Sequence, residues 1–197
     1  MKLLLTLLIP FILCTTIFGQ SISYDDFKAL LPGLEKEDFK NTFQKTSQLL
    51  AATTNDSSQF RAIIIYMNIF SAAGMVTLGQ MTHAGFSKNA NQYIGQQVIM
   101  AAYPCIDSGK FAFNSLHLVT KNGELQGSAA SSNKSNTAIF CFEEFKYGAA
   151  INPAAFIGQT VRCGGTLSTI EMNPNNSKVW IARLFVTNAF ARVITAR

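Results

Sequence analysis

The segment AIIIYMNIFSAAGMVTLG, from Ala62 to Gly79, contains eighteen residues and no charged side chain. If it is helical, Arg61, Asn68, Ala72 and Gly79 fall close to one line along the helix, and apolar or small side chains cover the rest of its surface. A helix that is apolar nearly all round lies either in the core of a domain or in lipid. The fold therefore depends on which of the two surrounds this segment.

We expect this segment to be a buried core helix. Asn68 lies in its middle, and the residues that follow it, Gln80 to His83, are mostly polar. Arg61 is the only basic residue close to it, so no Lys/Arg asymmetry sets an orientation across a bilayer. The segments on both sides also have apolar faces that need a partner. The alternative is a membrane-active protein that inserts residues 62–79 into a bilayer.

Amphipathic helices are predicted on both sides of the apolar segment. Ser23 is a candidate N-cap, because two acidic residues occupy the turn that follows it. Phe39 and Phe43 mark the apolar face of a second predicted helix. Another helix is predicted to begin after Ser87 and to continue to about residue 104. The first half of the chain is therefore expected to be helical.

The second half of the chain has the alternating pattern of β-strands. Asn122-Gly123 lies between two alternating runs and predicts a hairpin turn. Gly164-Gly165 and Asn173 to Asn176 are predicted turns, and a strand break is predicted near Thr187-Asn188. Helices followed by strands are typical of an α+β fold.

We therefore predict one α+β domain at residues 20–197. Its N-terminal helices, at about 23–104, are expected to pack on an antiparallel sheet at about 110–197. About 178 residues are enough for one domain with its own core.

The N-terminus has the pattern of a secretory signal peptide. Lys2 precedes an apolar run from Leu3 to Phe18, and the small residue Gly19 follows. We predict cleavage after Gly19, so that residues 1–19 are removed and the protein is secreted and extracellular. Charged residues make up only 14% of the chain, and glycans would help to keep such a surface soluble. Three acceptor sequons predict glycosylation, at Asn55, Asn133 and Asn175.

Three cysteines remain after removal of the signal peptide: Cys105, Cys141 and Cys163. In an exported chain, one disulfide and one free thiol are the simplest interpretation. We favour the pair Cys141–Cys163, because both lie in the strand-rich half. Cys105 would then be either a buried thiol or the link in a disulfide-bonded dimer.

No motif in the sequence names an activity. The chain contains two histidines, His83 and His117, and lacks the spacings typical of a zinc site, a phosphate loop or a dinucleotide fingerprint, so we predict neither a metal nor a cofactor. Glu143 and Glu144 would point to opposite faces of a strand, which prevents them from acting as an acid–base pair; each is expected at a sheet surface or beside a lysine. A hydrolase of unknown type, with a cysteine or serine beside His117, stays open as an alternative.

The most favoured hypothesis is a secreted, non-enzymatic glycoprotein that binds an apolar small molecule or another extracellular protein. Hydrophobic residues make up 48% of the chain, which favours an apolar contact. The net charge of +5 and a basic C-terminus suggest weak contact with anionic surfaces, and export argues against nucleic acid as a partner. The basic residues in question are Lys178, Arg183, Arg192 and Arg197. The candidate ligand contacts are the aromatic residues of the strands: Phe111, Phe113, Phe140, Phe142, Trp180 and Phe185.

Overall fold

A computed structural model describes residues 21–107, 109–110, 112–121, 124–149 and 152–194 of the chain. The predicted signal peptide, the Asn122-Gly123 turn, Phe111 and Arg197 lie outside the described residues.

Helices occupy the N-terminal half of the described chain, as predicted. They are α1 (Tyr24–Lys28), α2 (Leu31–Glu35), α3 (Phe39–Ala52), α4 (Gln59–Thr77) and α5 (His83–Asn91). The predicted cap of α1 is confirmed, since the Ser23 hydroxyl accepts a hydrogen bond from the Asp26 backbone N–H at 3.1 Å. The helix that was predicted to follow Ser87 corresponds to α5. It begins earlier than expected, because Thr82 and not Ser87 provides its N-cap.

The strands follow in the C-terminal half and form one sheet that closes on itself. They are β1 (Gln97–Ile106), β2 (Leu116–Lys121), β3 (Glu124–Ser132), β4 (Ile139–Tyr147), β5 (Thr160–Met172) and β6 (Trp180–Val193), in the spatial order β1-β2-β3-β4-β6-β5, with β5 also paired to β1. The α+β fold is thus confirmed. The sheet is mixed rather than antiparallel throughout, because β1 pairs with β2, and β4 with β6, in parallel.

The prediction that residues up to about 104 are helical is wrong for β1. Short apolar runs such as the one after Gln97 fit a buried strand as well as a helix. Gly95, at φ +87°, ends the helical region. Its N–H donates to the carbonyl of Leu167, and the Leu167 N–H donates to the carbonyl of Gln96, which starts the pairing of β1 with β5. Pairing with a strand far along the chain thus decides the conformation.

Two predicted interruptions also lie inside continuous strands. A Cβ on Gly164 would lie 2.6 Å from the Val98 carbonyl oxygen, so this glycine allows β1 and β5 to approach closely instead of forming a turn. Asn188, at φ +48°, is part of a β-bulge in which β6 carries one extra residue, and the strand continues beyond it.

α4 is enclosed by the rest of the molecule. It is long and apolar enough to cross a membrane, but 13 of its 19 residues are buried. Asn68, on its polar stripe, is fully buried; its amide group donates to Thr46 Oγ1 and to Ser47 Oγ, both at 2.9 Å, and accepts from Asn89 at 2.8 Å. The polar stripe of α4 therefore faces α3 and α5, and its apolar sides face the sheet and the other helices.

The predicted disulfide Cys141–Cys163 is wrong, because both thiols, and that of Cys105, are free and buried. Cys141 lies opposite Ala182 on β6, and Cys163 lies opposite Ala191 on the same strand. Ala182 and Ala191 are nine residues apart, which is about 30 Å along an extended strand. The two cysteines opposite them are therefore much farther apart than the ~7 Å between Cα atoms that a disulfide can span.

Candidate functional site

The sheet has an opening beside β1 that α4 covers. β1 pairs with β2 only at its end, through Cys105 and Ile106. The first part of β1 is therefore separated from β2, and α4 lies there in contact with β1, β4 and β6.

An apolar cleft of about 430 Å³ lies between α4 and β1, with α1 and α2 on its outer side. Its polar groups are Glu35, Tyr66, Tyr103, Asn114 and Arg162. The remaining lining side chains are aliphatic, aromatic or sulfur-containing, and they include Phe27, Leu34, Ile63, Met67, Phe70 and Ile99. The size of the cleft and its apolar walls with a few polar groups are typical of small-molecule sites.

A buried polar cluster lies behind the tyrosines of this cleft. Ser131 on β3 is at its centre, with its Oγ 2.8 Å from the Tyr66 hydroxyl and 2.6 Å from the Tyr103 hydroxyl. Glu143 Oε1 accepts hydrogen bonds from Ser131 at 2.5 Å and from Tyr66 at 2.7 Å. The cluster therefore connects α4, β1, β3 and β4 across the opening of the sheet.

The number of protons in this cluster favours a neutral Glu143. The cluster contains four short oxygen–oxygen contacts, whereas Tyr66, Tyr103 and Ser131 supply one proton each. A protonated carboxyl group supplies the fourth if its Oε1 donates to Ser131 and Ser131 donates to Tyr66, whereas an ionised Glu143 accepts from both hydroxyls and leaves the Tyr66–Ser131 contact without a proton. Glu143 Oε2 is buried and has no hydrogen-bond partner among the described residues, which penalises a charged carboxylate further.

The electrostatics of the cluster agree with this proton count. Burial raises the pKa of Glu143 to about 7, although hydrogen bonds from Ser131 and Tyr66 offset part of the rise. Burial and the nearby Glu143 also raise the pKa values of Tyr66 and Tyr103 above that of free tyrosine. The two phenols are therefore neutral hydrogen-bond donors at physiological pH.

Arg162 on β5 is the cationic residue of the cleft. Its Nε is buried and has no hydrogen-bond partner within the described part of the chain. Arg162 lies directly opposite Arg192 on β6, and both line a second cavity of about 270 Å³. Arg162 and Ile99 line both cavities, so the two spaces adjoin.

The aromatic residues predicted from the sequence are placed elsewhere. Phe140 is buried between sheet and helices, with its ring centroid 5.0 Å from that of Phe39 and 4.9 Å from that of Phe70. Phe142 packs against Trp180 at 5.8 Å on the opposite face of β4. Phe113, Phe140, Phe142, Trp180 and Phe185 are absent from the cleft lining, whereas Phe27 and Phe70 belong to it.

His117 does not lie on the same face of the sheet as Cys105. His117 and Cys105 occupy adjacent positions in the β1–β2 register, so their side chains point to opposite faces of the sheet. His83 Nε2 lies 3.1 Å from the backbone oxygen of Ser177. A Cys105–His117 pair is therefore not assembled, whereas the Ser115 hydroxyl lies 3.4 Å from His117 Nε2. The described residues also contain no group of three or more metal-ligating side chains.

Among the described members of the predicted basic set, Arg183 and Arg192 lie far apart. Arg183 Nε lies 3.2 Å from Glu144 Oε1, and the Arg192 guanidinium lies 4.9 Å from the Phe190 ring centroid. Arg183 and Arg192 are nine positions apart on β6, which corresponds to about 30 Å of extended strand. Lys178 is exposed in the connection before β6.

The expectation that Glu143 lies at a sheet surface or beside a lysine is wrong. Glu143 and Glu144 do point to opposite faces of β4, but Glu143 is fully buried while Glu144 pairs with Arg183. The alternation of β4 contained the signal, since Cys141 and Phe145 are apolar neighbours of Glu143 on one face. Tyr66, Tyr103, Ser131 and Arg162 carry no such local signal, because they lie far apart in sequence.

No family model, no curated protein and no solved structure matches this chain.

Proposed function

We propose that this protein is a secreted, non-enzymatic binding protein that holds an apolar small molecule in the cleft between α4 and β1. The observation that carries the proposal is the cleft itself, about 430 Å³ in volume and lined mainly by apolar side chains. Transfer of an apolar ligand from water into a cleft of this kind lowers the free energy of the system.

The composition of the walls supports a ligand with a flexible apolar body. Met67, Met100 and Phe70 contribute to the lining, and methionine side chains adapt to irregular shapes. Tyr66 and Tyr103 provide phenol groups at the inner end, although both hydroxyls are already bonded to Ser131. The apolar surface therefore carries most of the binding energy.

Native extraction is the first test of this proposal. The secreted protein is purified without detergent, extracted with organic solvent, and analysed by mass spectrometry. We expect an apolar molecule in the extract and saturable binding of a fluorescent fatty-acid analogue by the delipidated protein. A protein that yields no apolar molecule and binds no such probe would contradict the proposal.

A variant that fills the cleft links binding to this site. Ala101 lines the cleft and is exposed, so Ala101→Trp is expected to obstruct the cleft while the fold persists. Ala51→Trp is the matched control, because Ala51 is exposed on α3 and does not line the cleft. We expect the affinity for the fluorescent probe to fall by about tenfold or more in Ala101→Trp, which corresponds to ~1.4 kcal/mol of binding free energy. The affinity of Ala51→Trp should stay at the wild-type value.

Secretion and glycosylation are part of the same proposal. Asn55 and Asn175 are exposed, which suits glycan attachment. Asn133 is less suited, because its amide nitrogen donates to Ser135 Oγ and to Thr137 Oγ1, both at 2.9 Å. We expect the chain to enter the medium of a eukaryotic host without residues 1–19. Peptide mapping after enzymatic deglycosylation should show glycans at Asn55 and Asn175 rather than at Asn133.

A further inference from the structure

We propose that the ligand is an anionic amphiphile whose acidic head group is bound by Arg162 and Arg192, while its chain occupies the apolar cleft. This inference rests on the proposed function and adds to it the chemical class of the ligand. Its basis is the juxtaposition of two arginines at the place where the apolar cleft meets a second, more polar cavity.

The two arginines are direct cross-strand neighbours. Arg162 on β5 is paired with Arg192 on β6 in the antiparallel register. Side chains in this relationship have Cβ atoms about 5 Å apart, and like charges placed directly opposite each other destabilise a sheet. An anion bound between the guanidinium groups converts that repulsion into attraction. The pair is therefore suited to a carboxylate or a similar acidic group.

Neither arginine has an acidic partner in the part of the chain that the structure describes. The ion pairs Lys146–Glu124 and Arg183–Glu144 involve other residues. Arg192 contacts the Phe190 ring, and the buried Nε of Arg162 has no acceptor. A buried donor on a charged group is costly when it has no acceptor, and an acidic head group supplies one.

The two cavities provide separate spaces for the two halves of such a ligand. The cavity beside Arg192 is also lined by Ser58, Gln59 and Gln97, so it is more polar than the cleft. Ser58 and Gln59 belong to the N-terminal end of α4, where the helix dipole adds to the positive potential. Glu35 lies in the lining of the apolar cleft and forms no ion pair with Arg162. The acidic head is therefore expected at the arginines and the chain beside α4.

Ligands that differ only in their head group test this inference. The delipidated protein is titrated with hexadecanoate and with hexadecanol in competition with the fluorescent probe, at a pH where the acid is ionised. We expect hexadecanoate to bind about tenfold or more tightly than hexadecanol, since charge-assisted hydrogen bonds to two arginines add to the shared apolar contact. Equal affinity for the acid and the alcohol would overturn the inference.

Charge-removing variants assign the preference to the arginine pair. Arg192 is exposed, so Arg192→Gln is expected to fold; Arg162→Gln is the second variant. Each should lower the affinity for hexadecanoate by about tenfold and leave hexadecanol binding within about twofold of wild type. Arg183→Gln is the matched control, because Arg183 lies on the same strand and also lies over an aromatic ring, 5.9 Å from the Phe142 centroid.

The remaining outcomes separate this inference from the proposed function. If both hexadecanoate and hexadecanol bind but neither arginine variant changes the acid preference, the apolar site stands and the head-group assignment is overturned. If neither ligand binds, both the proposed function and this inference are contradicted. Sodium acetate and inorganic phosphate are tested alone, and competition by either at the concentrations that suffice for hexadecanoate would identify a site for free anions instead.

Discussion

The hydroxyl group of Tyr66 on α4 donates a hydrogen bond of 2.7 Å to Oε1 of Glu143 on β4, and at most 4% of either residue is exposed to solvent. This bond joins the most apolar helix of the described chain to a carboxyl group inside the sheet. Insertion of α4 into a bilayer would break it and leave the Glu143 carboxyl without one of its two hydrogen-bond partners.

The stability of the protein is expected to fall as the pH rises from about 4.5 to about 7. Burial raises the pKa of Glu143 from 4.5 to about 7, so within this interval the folded state keeps a proton that the unfolded state has released. The contribution of this retained proton to the free energy of unfolding is fully present below pH 4.5 and is lost as the pH rises through about 7. Its size is on the order of 3 kcal/mol.

Urea unfolding between pH 4 and pH 8 measures this dependence. Glu143→Gln should flatten the part of the profile that the Glu143 carboxyl causes, while Glu144→Gln, on the opposite face of the same strand, should leave it nearly unchanged. A profile for Glu143→Gln that runs parallel to wild type would show that the carboxyl does not titrate in this range.

Removal of the Tyr66 hydroxyl is expected to destabilise the fold. Tyr66→Phe deletes the contacts with Ser131 and with Glu143, and we expect a loss of about 1 to 3 kcal/mol in the free energy of unfolding. It should also raise the pKa of Glu143 further, because one donor to the carboxylate is lost. Tyr24→Phe is the control, since Tyr24 is 59% exposed. Equal losses in both variants would contradict the role assigned to the buried cluster.

Asn68 is expected to be essential for the packing of α4. Asn68→Ala removes the amide that donates to the hydroxyl oxygens of Thr46 and Ser47 and that accepts from Asn89. We expect a loss of about 2 to 4 kcal/mol, measured by thermal or urea unfolding. Asn91→Ala, at an exposed position of α5, should change stability by less than about 0.5 kcal/mol.

Close approach of the strands makes Gly164 intolerant of substitution. A methyl group there would lie 2.6 Å from the Val98 carbonyl oxygen and 2.8 Å from the Phe190 ring, so Gly164→Ala should cost about 2 kcal/mol or more. Gly109→Ala provides the comparison, because an added Cβ at Gly109 meets no atom within 4 Å. Similar melting temperatures for the two variants would refute this packing argument.

The three cysteine thiols are expected to react only when the protein unfolds. Cys105, Cys141 and Cys163 are at most 3% exposed. Burial raises the pKa of each thiol, to about 12 for Cys163, so the reactive thiolate is scarce at neutral pH. Iodoacetamide labelling followed by peptide mapping should find all three unmodified in the native protein and all three modified in guanidinium chloride. A native protein in which two of them are linked by a disulfide would contradict the structure.

Features that depend on neighbouring residues were predictable from the sequence. The Ser23 cap, the helical period of α3 and α4, and the alternation that places Glu143 and Glu144 on opposite faces of β4 all arise within a few positions of the chain. The buried state of α4 was also predictable, because Asn68 in an otherwise apolar helix is costly in lipid but satisfied by neighbouring polar side chains.

Features that depend on distant residues were decided only by the tertiary structure. The residues after Gln97 are compatible with helix or strand, and pairing with β5 makes them a strand. Arg162 and Arg192 are thirty positions apart in the chain, and only the register of β5 with β6 places them side by side. Tyr66 and Glu143 also meet only in the tertiary structure. Their contact forms because α4 covers the opening where the first part of β1 is separated from β2. Local propensity acts over a few residues, whereas the site is assembled from contacts between segments that the chain keeps far apart.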